Sequence, residues 1–397
     1  MSRIEALATP EVLKWARESA RMDIARAAKS IGVSVERLVQ AERNAARLTV
    51  KQLWKAADKY ERPVSLFYLP KPPVEEARIH DFRRLPGEPE KLTSELVIEV
   101  RRARERRETA LYLSQVLNEH VPVFPHSARL SDDTGHVATT VRELLKVPVE
   151  SQKNWRRSDR ALQAWRSAIE SLGVLVFQMS SRRISSEEAR GYSISEHTLP
   201  VIGINAGESA NGRIFTLFHE LVHLMLHADG VCDIVERGVP SDEQRVEGFC
   251  NAVAAEALVP TESLTREEVL QRVGSPTAWP DEVLDSLARQ YSVSSEVILL
   301  RLVKLTRATG SFYAAWKDRK RKEYEDRQER ERLRRKTKPG GPSAVQMAVP
   351  NGGRYFVRLV LQAHEEGELT LADVSRHLGV KAKDVTAVRR RLLKGLP

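Results

Sequence analysis

The chain has 397 residues, enough for two to four domains and at least one sizeable core. Apolar residues make up 41% and charged residues 30%, and no apolar run approaches the roughly 18 residues of a membrane span, so a globular protein with no membrane partner is expected. The opening MSRIEALATPEV lacks an apolar signal core and only Cys232 and Cys250 are present, which argues against secretion and a disulfide framework and for the cytoplasm, while a net charge of +10 permits nucleic-acid binding without requiring it.

Residues 9–70 read as a run of short helices. In TPEVLKWARES, Thr9 stands at the N-cap position and Pro10 at the first helical position. MDIARAAKSIGVSVERLVQAERN gives a short helix, a turn at Gly32–Val33–Ser34, and a second helix capped by Ser34. The second helix exposes Glu36, Arg37, Gln40 and Arg43. Arg37, Gln40 and Arg43 are candidates for contacts with bases or phosphates, whereas Glu36 would meet phosphate unfavourably. LTVKQLWKAADKY adds an amphipathic helix, and the prolines of ERPVSLFYLPKPP end the unit.

A linker, EARIHDFRRLPGEPEKL, leads to a long helix beginning TSELVIEVRRARERRE, whose arginines read as a solvated face. Residues 137–172 give two more helices. VLVFQMS, YSIS and PVIGIN then read as strands. After a helix at 216–227 comes SDEQRVEGFCNAVAAEALVP, a helix opened by Ser241 and closed by Pro260. Residues 281–305 repeat the helix–turn–helix pattern without a basic face and are expected to pack on the core. A charge run ending in Lys-Pro-Gly-Gly-Pro follows, expected as a solvated helix and flexible linker. The tail repeats helix–Gly–helix, and its last helix is read as carrying Lys381, Lys383, Arg389, Arg390 and Arg391, a second candidate surface for nucleic acid or for a partner.

The stretch TLFHELVHLMLH, residues 216–227, combines an apolar helix with three histidines and a glutamate. Residues four apart lie on one helix face, so His219 and His223 point the same way and can share one Zn²⁺. Glu220 lies beside them and can act as a general base without being a ligand. His227 is a poor third ligand. It stands about 12 Å from His219 along the axis at 1.5 Å per residue, too far for bonds of about 2 Å. The next helix offers Glu243, Glu247 and Glu256. Glu247 sits mid-helix with Asn251 on its face, Glu256 is surrounded by alanines, and Cys250 is a rival ligand or an inert buried thiol.

Two stretches of this sequence carry a family resemblance. The segments RIFTLFHELVHLMLH and EGFCNAVAAEALVP resemble the ImmA/IrrE family of bacterial metallopeptidases, in the pattern Phe-Thr-Leu-x-His-Glu-x-x-His followed by Glu-x-x-Ala-Asn-x-Phe-Ala-Ala-x-x-Leu-x-Pro. Cys250 replaces the usual alanine and Val253 the usual phenylalanine. The resemblance makes His219, His223 and Glu247 the metal ligands and Glu220 the general base. The N-terminal part resembles the repressor-type (XRE-like) helix-turn-helix, with Asn44 in place of a glycine and Leu48 in place of a proline. KWARES, RPVSLFYLPKPP, DFRRLPG and ARERRE are similar to longer family members bearing that domain. The tail after 340 is not covered.

The resemblance implies a fold that is mainly α with a small β-sheet: an α+β zincin-like metallopeptidase core flanked by helical helix-turn-helix domains. The expected boundaries are 1–72, 73–128, 129–275, 276–340 and 341–397. It also implies a zinc endopeptidase that cuts a helix-turn-helix repressor and derepresses stress or mobile-element genes. The scissile loop would add to an edge strand within 174–205. The other implied role is a DNA-binding regulator and antitoxin with a toxin partner, its zinc core serving structure or binding.

Overall fold

The computed structural model describes residues 4–73, 93–155, 157–227, 240–272, 278–337 and 342–394. These form two compact units. One holds the described residues up to 106, with 187–189. The other holds the remainder from 107 onward. The protein is mainly helical with one small sheet, as the sequence leads one to expect.

The first unit contains α1 (Pro10–Ser19), α2 (Ile24–Ile31), α3 (Val35–Glu42), α4 (Val50–Tyr60), a 3₁₀ turn (Val64–Tyr68) and the first part of α5 (Ser94–Val116). Leu13, Ala16, Ile31, Leu38, Leu53 and Tyr60 form its core. Between α2 and α3, Gly32 takes φ +83°, and Ser34 Oγ accepts from Arg37 N. Asn44 adopts φ +61°, a conformation that its short polar side chain tolerates. Pro10 does open α1, yet the Thr9 side chain makes no cap hydrogen bond. Arg17 on α1 grips Glu42 on α3 through two hydrogen bonds of 2.7 and 2.9 Å. The arginines of α5 are not simply a solvated face. Arg101 donates to Ser19 O at 2.6 Å and to Tyr60 O at 3.1 Å, satisfying carbonyls at the ends of α1 and α4.

The second unit is built on β1 (Leu175–Met179), β2 (Gly191–Ile194) and β3 (Val201–Asn205), in the order β1-β3-β2. β1 runs parallel to β3, and β2 antiparallel to it. All three strands are buried. Before them come α6 (Thr134–Leu145), α7 (Val149–Lys153) and α8 (Ser158–Glu170), three helices where the sequence suggests two. After them come α9 (Ala210–His227), α10 (Pro240–Leu258), α11 (Thr261–Thr265), α12 (Glu268–Arg272), α13 (Asp281–Tyr291) and α14 (Ser295–Lys304). α9 packs against β2, β3, α8 and α10. Trp165 meets Phe218 edge-to-face at 4.8 Å, joining α8 to α9. Leu284, Leu287, Tyr291, Ile298 and Leu302 of α13 and α14 enter the same core, as the absence of a basic face leads one to expect.

Three partners hold the end of α10. Arg142 on α6 donates to Ala257 O at 2.8 Å, Gln152 on α7 to Leu258 O at 2.8 Å, and Arg301 on α14 to Val259 O at 3.0 Å. A helix C-terminus leaves carbonyls without intrahelical partners and attracts cations, so these contacts fix α10 along its axis. Burial pushes the Arg142 guanidinium down to about 10.

The chain continues as α15 (Gly310–Thr337), α16 (Ala344–Gly352), α17 (Arg354–Glu365), α18 (Leu371–Leu378), a 3₁₀ turn (Ala382–Asp384) and α19 (Val385–Lys394). α16 and α17 pack against β1. Phe356 meets Phe177 edge-to-face at 6.5 Å, and Arg358 pairs with Glu119 at 2.6 Å. Gly353 has φ +74°, and a Cβ there would stand 2.8 Å from Val176 O. Gly353→Ala is therefore expected to destabilise the protein by about 1–3 kcal/mol through strain and overpacking. Urea denaturation checks this; an unchanged midpoint would mean that the contact with β1 yields freely. No helix among the described residues is long and apolar enough to cross a membrane.

Candidate metal centre and active site

The apolar residues of α9 explain where its histidines go. Leu217, Phe218, Leu221, Val222, Leu224 and Met225 are all buried in the core. That packing anchors the helix on nearly every side, so His219 and His223 are buried as well. Their Nε2 atoms lie 3.0 Å apart. α10 packs alongside and delivers Glu247, whose carboxylate oxygens stand 3.3 Å from His219 Nε2 and 3.2 Å from His223 Nε2.

All three donor atoms lie within 4.8 Å of one another. Donors about 2.0–2.1 Å from a tetrahedral zinc are separated from each other by about 3.3 Å, so the observed spacing fits such an ion. The donor set fits too: two imidazole nitrogens and a carboxylate suit zinc. Burial pushes the Glu247 carboxyl up, but hydrogen bonds and charge from His219 and His223 outweigh it and hold it down at about 2.

Glu220 is buried beside this cluster, and its Oε2 accepts a hydrogen bond of 3.0 Å from Ser193 Oγ on β2. Gly191, two residues earlier on β2, lies against the other oxygen. A Cβ at Gly191 would stand 2.8 Å from Glu220 Oε1. The β3–α9 turn that sets α9 under the sheet is held by Asn205, whose Oδ1 accepts from Gly207 N at 2.8 Å and whose Nδ2 donates to Ile184 O at 3.1 Å.

The structure separates Glu247 from Cys250 and Glu256. Cys250 is buried and does not belong to the donor cluster. Glu256 serves packing: it accepts from Thr261 N and Oγ1, both at 2.8 Å, and pairs with Arg301. The side chains of His227, Ser241 and Glu243, and all of Cys232, lie outside the described residues.

The candidate nucleic-acid residues lie on other elements. Gln40 and Arg43 are exposed, while Arg37 Nη2 donates to Arg47 O at 2.6 Å. Lys381 and Lys383 do not lie on the last helix as the sequence suggests. Lys381 precedes the 3₁₀ turn and Lys383 lies within it, because Lys381 O accepts from Asp384 N and the chain becomes α-helical only at Val385. Arg389 pairs with Glu365 at 2.6 Å, and Arg390 is exposed. Ser193 and Gly191 carry no motif. The strand YSIS expected from the sequence starts one residue after Gly191, and only the period-two alternation of β2 places the two on one face.

Residues 169–303 match the family model of the IrrE N-terminal-like domain, a peptidase family. No curated protein matches the chain. The matched segment starts at the end of α8 and ends in α14, so it takes in the sheet, α9 with His219, Glu220 and His223, and α10 with Glu247. The first unit, apart from residues 187–189, and the helices after α14 lie outside it.

Proposed function

We propose that this chain is a zinc-dependent endopeptidase that cleaves a helix-turn-helix transcriptional repressor in the cytoplasm and so derepresses stress or mobile-element genes. The observation that carries the reading is the convergence of His219, His223 and Glu247 beside buried Glu220, within a segment that matches a peptidase family. Those three residues would hold the ion. Zinc bound there would lower the pKa of a water toward about 7 and polarise the scissile carbonyl. Glu220 takes up a proton at its carboxylate and later gives it to the leaving amine. Its burial keeps bulk water from competing for that proton.

An extended substrate segment would pair with β2. Val176 O of β1 already accepts a hydrogen bond from Arg166, and α16 packs on that strand. β2 pairs with β3 alone among the described strands and carries the residues that touch Glu220. Strand addition there places the scissile bond near the base.

Incubating the zinc-loaded chain with helix-turn-helix repressors of its own organism tests this. Mass spectrometry should show one repressor cut at one site, with cleavage stopped by a chelator. Zinc-loaded protein that cuts none of them would count against the reading.

A second reading is a DNA-binding regulator and antitoxin that holds a toxin, and the exposed polar residues of the first unit support its DNA-binding part. α2, the Gly32 turn and Ser34-capped α3 expose Gln40 and Arg43, and Arg37 lies on the same helix. Lys381, Lys383, Arg389 and Arg390 offer a second basic surface. This reading expects salt-dependent operator binding that survives Glu220→Gln, and gel shifts at two salt concentrations separate the two.

A further inference from the structure

Alternate residues of a strand share a face. Gly191 and Ser193 therefore lie on one side of β2, and both meet α9 there. Ser193 Oγ donates to Glu220 Oε2 at 3.0 Å. A Cβ at Gly191 would stand 2.8 Å from Glu220 Oε1 and 2.4 Å from Thr216 Cγ2. One oxygen of the carboxylate is held by a hydroxyl. The other fills the space that a side chain would otherwise occupy.

The opposite face of β2 fixes the strand that provides this slot. Tyr192 is opposite Gly203 in the β2–β3 register, and a Cβ on Gly203 would fall 2.2 Å from the Tyr192 ring. The buried ring thus lies over bare backbone on the central strand. That interlock holds Gly191 opposite Ile204 and Ser193 opposite Ile202. A slip of one residue would turn Ser193 away from α9.

We infer that Ser193 is a positioning residue for Glu220 and that Gly191 completes the carboxylate slot, so β2 supplies half of the base's machinery. The consequence for rate rests on the endopeptidase reading; the contact itself does not. A glutamate side chain turns about three bonds, and its last torsion is broad. A general base must keep its lone pair within about 2.6–3.2 Å of the proton it takes. The Ser193 hydroxyl removes that freedom by fixing one oxygen, and the closed space at Gly191 blocks rotation of the other.

The test has two arms, both on the full-length protein with its zinc content measured. The first is a double-mutant cycle on urea denaturation with Ser193→Ala, Glu220→Ala and the pair. The drop in midpoint caused by Ser193→Ala should largely vanish when Glu220 is already alanine. Additive drops would overturn the contact. The second arm is cleavage of unfolded casein by the zinc-loaded chain. Ser193→Ala should lower kcat by about 100-fold, with KM within about twofold and zinc content unchanged. Ser193→Thr, which keeps the hydroxyl, should recover most of that loss. Gly191→Ala should also lower kcat while zinc is retained. An unchanged kcat in Ser193→Ala, a loss confined to KM, or no recovery in Ser193→Thr would overturn the positioning role. A zinc-loaded wild type that leaves casein intact is consistent with one-site specificity, so the repressor assay judges the endopeptidase reading and the cycle decides the Ser193 contact by itself.

Discussion

Glu220→Gln is expected to lower peptide cleavage by about 10²–10⁴-fold while zinc remains at one ion per chain. The substitution keeps the shape of the side chain and replaces the proton acceptor with an amide. The amide oxygen can still accept from Ser193 Oγ, which now donates to Glu220 Oε2 at 3.0 Å, so the rotamer is retained. His219, His223 and Glu247 are left untouched. Glu220 is 1% exposed, so bulk water does not replace the lost base. Removing a carboxylate from such a site relieves a desolvation cost, and the variant should fold at least as well as wild type. The loss should fall on kcat, as expected for an interaction used in the transition state. Full activity with glutamine at 220 would show that proton transfer uses another group.

Arg301→Met should destabilise the protein by about 3–5 kcal/mol, the cost of breaking a buried ion pair by removing one partner. Arg301 is 3% exposed, donates to Val259 O at 3.0 Å and to Thr261 Oγ1 at 2.6 Å, and pairs with Glu256. Methionine keeps much of the length and satisfies none of these groups. The effect should extend beyond stability. α10 carries Glu247, and Arg301 holds the end of that helix, so its loss lets the helix shift against α9. Zinc affinity should fall along with the denaturation midpoint. Competition with a chromogenic chelator measures the first and urea unfolding the second. A loss of under about 1 kcal/mol would show that Arg142 and Gln152 hold α10 without help.

The parts of the site that were legible in the sequence share one property: each depends on spacing within a single helix. His219 and His223 converge because four residues make about one turn, and Glu220 is adjacent by chain order. Glu247 was only partly legible. The second helix holds several glutamates, and the packing of α10 on α9 is what brings Glu247 rather than Glu256 to the histidines. Helix crossing follows from side-chain ridges contributed by both partners, not from either segment alone. Ser193 and Gly191 were illegible for a similar reason. Their meeting with Glu220 depends on the register of β2 with β3 and on the position of α9 relative to the sheet, both set across long sequence separations.

The flanking elements give the same lesson. The Gly32 turn and the Ser34 cap are local and read directly from the chain. The place of α16 and α17 on β1 is not local. The segment NGGRYF gives no sign that Gly353 will pass Val176 O. Charge misled in the same way: Arg101 reads as surface and instead satisfies two helix-end carbonyls, because a long side chain can cover distance that sequence spacing does not express.

Metal content per chain, measured on wild type, His223→Ala and Glu247→Ala, tests the central claim most directly. His219, His223 and Glu247 should together hold one zinc in wild type, and each substitution should remove the ion or greatly weaken its binding. Zinc retained in full by Glu247→Ala, or absent from carefully purified wild type, would contradict the metal centre on which the peptidase reading depends.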